Sequence, residues 1–359
     1  MLIAEASLEN GFDVIIGYGE LGDIDPAYLE DKGFKTFFVP MDRGGTNLIE
    51  EFKTLYFLWK LIRKVQPDIL HLVTIKPYLY GGIIARLLHV PCVVSAVAGL
   101  GSLFVQDKIW AKLLRHILYP IYKFSFNHPN QRVIVQNQED ARSLLNWEVL
   151  NFKKICLVRG SGVNLKNFTR FDEPKSVPTV CFAARLLRDK GVYEFVSAAR
   201  QIKNKGLKAR FILAGEIDLK NPSGLNFEEV KKLKEEGLVE ILDYQKDIPS
   251  LYADSHIICL PSYREGLPKS LAEAAAASRP IVTTDVPGCR DTIIPNKSGL
   301  LVPVKNSKKL ANALQWLIEN QEERIKMGRI GRELAEKEFS IEKIVLEHLN
   351  IYQLLLKNR

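Results

Sequence analysis

Short, wholly apolar runs alternate with amphipathic helical patterns along nearly the whole chain, and no other feature restricts the fold as much. In the first half MLIAEASLEN reads as a helix ended by Gly11, FDVIIGY and FKTFFVP as strands, and EFKTLYFLWKLIRKV as an amphipathic helix. PDILHLV, CVVSAVAG and RVIVQN continue the strands, with PYLYGGIIARLL as a helix between the first two. The second half repeats the grammar, with TVCFAARL, RFILAGE, VEILDY, SHIICLPS and RPIVTTD as strands. A strand exposed on one face alternates apolar and polar residues. These do not, so both faces must be covered, as in a parallel sheet with helices on either side. The expectation is α/β, doubly wound, in each half.

With 359 residues the chain exceeds one ordinary domain and suits two. GSGVNLKNFTRFDEPKSVP, rich in Gly, Pro and charge and without periodicity, separates the halves. We therefore expect an N-terminal domain over 1–164, a linker over 165–178, a second domain over 179–339 and a terminal amphipathic helix over 340–359. A doubly wound domain opens on a strand and a glycine-rich turn, whereas this chain opens on a helix. The expectation is that a first strand and its loop are missing from it.

Composition narrows the function classes. Apolar content of 47% and charged content of 26% fit a globular protein rather than a disordered one. The five cysteines are widely spaced and include no Cys-x-x-Cys, which points to a reducing cytoplasm and away from a zinc site. No run reaches the roughly 20 apolar residues of a membrane span, and the start lacks a signal-peptide layout. The net charge of +8 is local: residues 53–132 carry eleven Lys or Arg against Asp68 and Asp107. No RNA- or DNA-binding module accompanies that charge, so no nucleic-acid partner is expected.

The chemistry concentrates in REGLPKSLAEAAA. Ser262 to Leu267 form the loop leaving the strand HIICLPS, at the strand end where open α/β sheets hold ligands. Pro268 suits a first helical position, and the helix N-terminus offers N–H groups to an anion. Glu265 before the helix and Glu273 within it can grip two parts of one phosphorylated ligand, the layout of a nucleotide sugar. A plainer role is open to both, Glu265 as a capping carboxylate and Glu273 as a solvated helix residue. A second cluster, ARLLRDKG, leaves the C-terminal end of another strand, with Arg185 and Lys190 as cations for a diphosphate and Gly191 opening a helix.

Together PSYREGLPKSLAEAAAASRPIVTTDVPGCRD, ARLLRDKG, GSGVNLKNF and NKSGLLVP resemble the retaining glycosyltransferases of family four. That family has the GT-B fold, two Rossmann-like domains facing a central cleft. HLVTIKPYLYGGIIARLLHVPCVVSAVAGLGSLF is similar to the subgroup that adds a sugar, often an N-acetylhexosamine, to undecaprenyl-diphosphate-linked saccharides in bacterial O-antigen or capsule assembly. The resemblance implies a UDP-sugar donor, no cofactor and no metal. It places Arg185 and Lys190 on the donor diphosphate, Glu265 as the catalytic residue at the donor sugar, Glu273 on the ribose, and the Gly266 and Leu267 backbone on sugar and phosphates. It also implies that the terminal helix packs back toward the N-terminal domain. Members carry a glycine-rich loop after the first strand, beyond which this sequence begins, and AAAAS stands where relatives often have a glycine.

On the acceptor side, QDKIWAKLLRHILYPIYKFSF (106–126) interleaves cations with aromatic and aliphatic residues. Such a segment can lie in an anionic membrane interface, with Lys108, Trp110, Lys112 and Arg115 as contacts, or simply cover a core. The expected location is the cytoplasmic face of the inner membrane, as a peripheral protein. His71, at the end of PDILHLV, either assists acceptor binding or is a satisfied buried histidine. Two rival functions remain: a UDP-sugar 2-epimerase, and a truncated, non-catalytic nucleotide-sugar-binding paralogue.

Overall fold

The computed structural model describes residues 2–19, 26–41, 47–100, 109–169 and 172–359. The chain forms two compact units, Met1–Val158 with Val345–Arg359, and Arg159–Ile344.

In the first unit the elements run α1 (Leu2–Glu9), β1 (Ile15–Tyr18), α2 (Pro26–Asp31), β2 (Lys35–Phe38), α3 (Leu48–Val65), β3 (Ile69–Val73), α4 (Ile75–Leu87), β4 (Cys92–Val97), α5 (Ile109–Phe126), β5 (Gln131–Val135), α6 (Gln138–Asn146) and β6 (Ile155–Leu157). Every strand pair is parallel, but the strands fall into two sheets, β1-β2 and β3-β4-β5-β6, rather than one. β4 is central and almost wholly buried, which is why CVVSAV shows no alternation. α3 starts where the Asn47 side chain accepts from the Ile49 amide at 3.0 Å, and it carries Glu50 and Glu51 in its first turn and Arg63 and Lys64 in its last. Both charge placements complement the helix dipole.

In the second unit β7 (Thr179–Ala183), α7 (Val192–Asn204), β8 (Arg210–Ala214), α8 (Phe227–Glu235), β9 (Glu240–Leu242), α9 (Ile248–Ala253), β10 (Ile257–Leu260), α10 (Lys269–Ala276), β11 (Ile281–Thr284), β12 (Gly299–Val302), α11 (Ser307–Glu319) and α12 (Gln321–Glu338) follow in order. Its six strands are parallel in the order β12-β11-β10-β7-β8-β9. β7, β10 and β11 are buried along their whole length. From β7 the chain winds to β8 and β9 on one side, then crosses to β10 on the other. The switch in winding direction therefore lies between β7 and β10, where open α/β sheets leave a crevice for ligands. α10 is built of small residues because Ala272 and Ala274 to Ala276 are buried between sheet and α12.

The division differs from the expected boundaries: residues 159–164 belong to the second unit, which runs to Ile344 and not to 339. Residues 165–178 do not form a free linker, since their described part clusters with the second unit. Arg279 donates to the Asp172 carbonyl at 2.9 Å, Arg324 pairs with Glu173 at 2.6 Å, and His256 Nε2 lies 3.0 Å from the Pro174 carbonyl. His256 Nδ1 accepts from the Thr179 amide, so its other nitrogen carries the proton and donates. The last helix, α13 (Ile341–Lys357), begins in the second unit, and from Val345 its residues belong to the first. There Tyr352 meets His71 and Phe12, the Leu355 carbonyl accepts from Asn130, and Arg359 pairs with Asp68.

Candidate active site at the switch point of the second unit

Three loops converge at the C-terminal edge of the second sheet. The first leaves β7 and runs through Arg185 to Lys190, ending at Gly191, whose φ of +81° opens α7. A side chain there would collide with the Pro261 carbonyl, so glycine lets this turn lie flush against the exit of β10. The second loop, 261–268, carries Ser262, Glu265, Gly266 and Leu267 into α10. The third follows β11: Gly288, with φ of +78°, sits where a Cβ would strike the backbone of Glu265 and Gly266. Backbone bonds tie them together, Tyr263 N–H to Asp189 O at 2.8 Å and Glu265 N–H to Pro287 O at 3.3 Å, while the Thr284 hydroxyl donates to Ser262 O.

Within this clamp the Lys190 ammonium pairs with Glu265 Oε1, and the Ser262 hydroxyl lies 2.7 Å from the same oxygen. Both members of the ion pair are mostly buried, 20% and 12% exposed at the side chain. Lys190 and Glu265 were expected at different parts of the ligand; the structure brings them into contact. Arg185 stands apart and more exposed, and its Nη1 donates to Asp218 Oδ2 at 2.6 Å. Asp218 belongs to a loop after β8 that is fastened onto the β7 exit by Arg188 N–H to Ser223 O at 2.7 Å and Leu225 N–H to Leu186 O at 2.9 Å. Arg188 continues that fastening, its Nη2 donating to both Glu229 carboxylate oxygens at 2.5 and 2.7 Å. The Asn226 amide, then the Tyr193 hydroxyl and Arg188, hold the Glu229 carboxyl down to about 2.

Glu273 lies in α10 with its side chain 14% exposed and 3.4 Å from Lys269 Nζ. It is not a solvated helix residue. Burial raises its pKa above the usual carboxylate value, and Lys269 opposes that rise. Gly266 and Leu267 are buried, the latter packed under Gly160. α10 starts after Pro268 without a side-chain cap on its first amides. The sequence reading singled out neither Ser262 nor Asp218. Ser262 had a signal, three residues before Glu265 in a loop; Asp218, in IDLKNPSG, had none.

The remaining expected sites lie in the first unit. His71 Nδ1 is 2.6 Å from the Tyr352 hydroxyl and its ring stacks on His348 at 5.7 Å. Burial, then His348, lowers its pKa to about 3, and the Tyr352 contact ties α13 to β3. Lys108 lies outside the described residues, as do the side chains of Trp110 and Lys112, and Arg115 is half-buried. Among the described side chains of α5, Leu113, Ile117, Ile121 and Phe124 are exposed. No helix among the described residues is long and apolar enough to cross a membrane.

A cation-bound carboxylate at the switch point of one Rossmann-like sheet suits a phosphorylated ligand, and comparison with known proteins agrees. The model for glycosyl transferases group 1 matches residues 164–334, and that for glycosyl transferase 4-like proteins matches residues 4–137. The chain is 30% identical to the N,N'-diacetylbacillosaminyl-diphospho-undecaprenol alpha-1,3-N-acetylgalactosaminyltransferase of Campylobacter jejuni, over 92% of this chain and 88% of that one. It belongs to the family-four-type glycosyltransferases. This glycosyltransferase is also 26% identical to the UDP-Gal:alpha-D-GlcNAc-diphosphoundecaprenol alpha-1,3-galactosyltransferase of Escherichia coli, over 97% and 90% of the two chains. Among solved structures it resembles Anabaena HepE in complex with UDP-glucose, with a TM-score of 0.76, 16% identity and coverage of 99% and 94%. Its fold is accordingly GT-B, and its class of activity is hexosyl transfer.

Proposed function

We propose that this glycosyltransferase moves a hexose or N-acetylhexosamine from a UDP-sugar, with retention at C1, to a saccharide carried on undecaprenyl diphosphate in O-antigen or capsule assembly. The observation that carries the donor side is Lys190 held on Glu265 at the switch point, beside the uncapped start of α10. Arg185, Lys190 and the α10 amides would hold the diphosphate, Glu265 the sugar and Glu273 the ribose. The two relatives named for diphospho-undecaprenol acceptors support the acceptor, and the likeness to a UDP-glucose complex supports the donor.

In the reaction the bond from C1 to the diphosphate oxygen breaks as the acceptor oxygen bonds C1 on the same face. The acceptor proton passes to the departing phosphate oxygen, and UDP leaves. Negative charge grows on the diphosphate, where fixed cations and helix amides stabilise it without a metal. A lipid-linked acceptor puts the protein at the cytoplasmic membrane surface as a peripheral protein, and the outward apolar row on α5 supports that placement.

The test is to incubate the protein and Glu265→Ala with undecaprenyl-diphosphate saccharides and a panel of UDP-sugars, reading mass added to the lipid. Transfer by the parent, reduced at least a hundredfold in the variant and unaffected by a chelator, is expected. Release of a free epimerised sugar without acceptor, or no transfer from any donor, overturns the proposal.

A further inference from the structure

We infer that α3 forms a second lipid-docking face, so that the first unit meets an anionic bilayer through two helices of one layer rather than through α5 alone. This rests on the membrane placement proposed above and extends it to a different element.

α3 carries exposed apolar side chains besides those that face the core. Its inward side is accounted for: Leu58 and Ile62 are buried, with Leu55 and Leu61 packed against the same core. Its outward side carries Leu48, Ile49, Phe52, Tyr56 and Phe57 at 73, 66, 70, 58 and 45% exposure. Positions 48, 52 and 56 form one stripe at helical spacing. Together these side chains expose on the order of 500 Å² of apolar surface, near the upper end of the largest patch on an ordinary monomer. An apolar stripe of this size turned away from the core marks an interaction surface.

The charges select the occupant. The same helix continues outward into exposed Lys60, Arg63 and Lys64. The Arg63 guanidinium lies 5.0 Å over the Trp59 ring and the Lys64 ammonium 5.3 Å over Phe37, so both cations are held against the aromatic edge of the apolar surface. The two carboxylates of the helix are met within the protein: Glu50 pairs with Lys53 at 2.7 Å, and Glu51 pairs with Lys76 and accepts from the Tyr80 hydroxyl at 2.6 Å. α4 packs against both α3 and α5, which puts the α3 stripe and the Leu113, Ile117, Ile121 and Phe124 row on one layer. Two apolar rows edged by cations fit acyl chains beneath anionic headgroups.

The experiment is flotation of the full-length protein with vesicles of phosphatidylcholine alone and with about a third phosphatidylglycerol, comparing Phe52→Glu, Ile117→Glu and the parent. The parent should float with the anionic vesicles. Phe52→Glu should float about tenfold less while retaining the parent's affinity for UDP, which shows that it is folded. Equal flotation of Phe52→Glu and parent, with Ile117→Glu reduced, overturns the α3 face and leaves the α5 placement standing. Failure of the parent to float overturns both. A parent dimer in size-exclusion chromatography that Phe52→Glu dissociates, with flotation unchanged, assigns the stripe to a second copy and also overturns the inference.

Discussion

One oxygen of Glu265 receives both Lys190 and Ser262, whereas Arg185 is turned toward Asp218 on a neighbouring loop. The Arg185 pair uses a single guanidinium nitrogen and sets the direction of the remaining fork. Asp218→Ala should weaken UDP binding about fivefold in calorimetry, the scale of a part-exposed ion pair, while Asp218→Asn, which keeps an acceptor oxygen in place, should stay within about twofold. Tighter binding in both variants would make Asp218 a competitor of the diphosphate instead. Glu273 offers a pH test. Its folded pKa is raised, so the protonated form favours the fold at low pH and that favour is lost as pH rises through the raised value. At neutral pH the buried charge is therefore a cost. Glu273→Gln should raise Tm at pH 7, lose that gain below the ordinary carboxylate value of 4.5, and bind UDP less tightly at pH 7. The places of Glu265, Lys190 and Arg185 at strand ends, and of Glu273 on one short helix, were legible from the strand, loop and helix pattern around them. The Lys190–Glu265 contact was not, because it depends on two loops separated by 75 positions meeting across the switch point.

At the scale of elements, glycine decides how closely the three loops approach. Gly288→Ala places a methyl against the Glu265 and Gly266 backbone at a positive φ, a strain of about 1–3 kcal/mol. A Tm lower by several degrees, together with weaker UDP binding, is the expected result in a thermal melt, since about 2–4 °C accompanies each kcal/mol in a domain of this size. The central strands were readable because burial on both faces leaves uninterrupted apolar runs. The short edge strands β6 and β12 were not, as ICL and GLLV are only partly buried and offer too few residues for a pattern. α5 was read as an amphipathic segment, and its exposed apolar row among the described side chains was not singled out, because which side faces outward is set by packing against α4.

At the scale of the whole molecule, two units follow from length and from the break in periodicity after Gly162. The boundary did not follow, because a stretch rich in Gly, Pro and charge looks like a linker even when side chains far along the chain hold it down. Arg324 meets Glu173 through two bonds at 2.6 and 3.0 Å, both side chains are under a tenth exposed, and it also donates to the Leu317 and Ile318 carbonyls. Arg324→Ala strands a buried carboxylate and should cost about 3–5 kcal/mol in urea unfolding. A loss under about 1 kcal/mol would show that residues 172–174 are not fastened to the second unit by this pair.

α13 closes the first unit with residues 345–359 although that unit begins at the N-terminus. On the ribosome the order of synthesis and the order of completion are thus reversed. The first unit emerges early but lacks the partner of His71 until Tyr352 has been made, a wait of roughly 10–40 s at ordinary elongation rates. The second unit, begun later, is the first that can finish, and the nascent first half must stay soluble through that interval with the α13 side of its core uncovered.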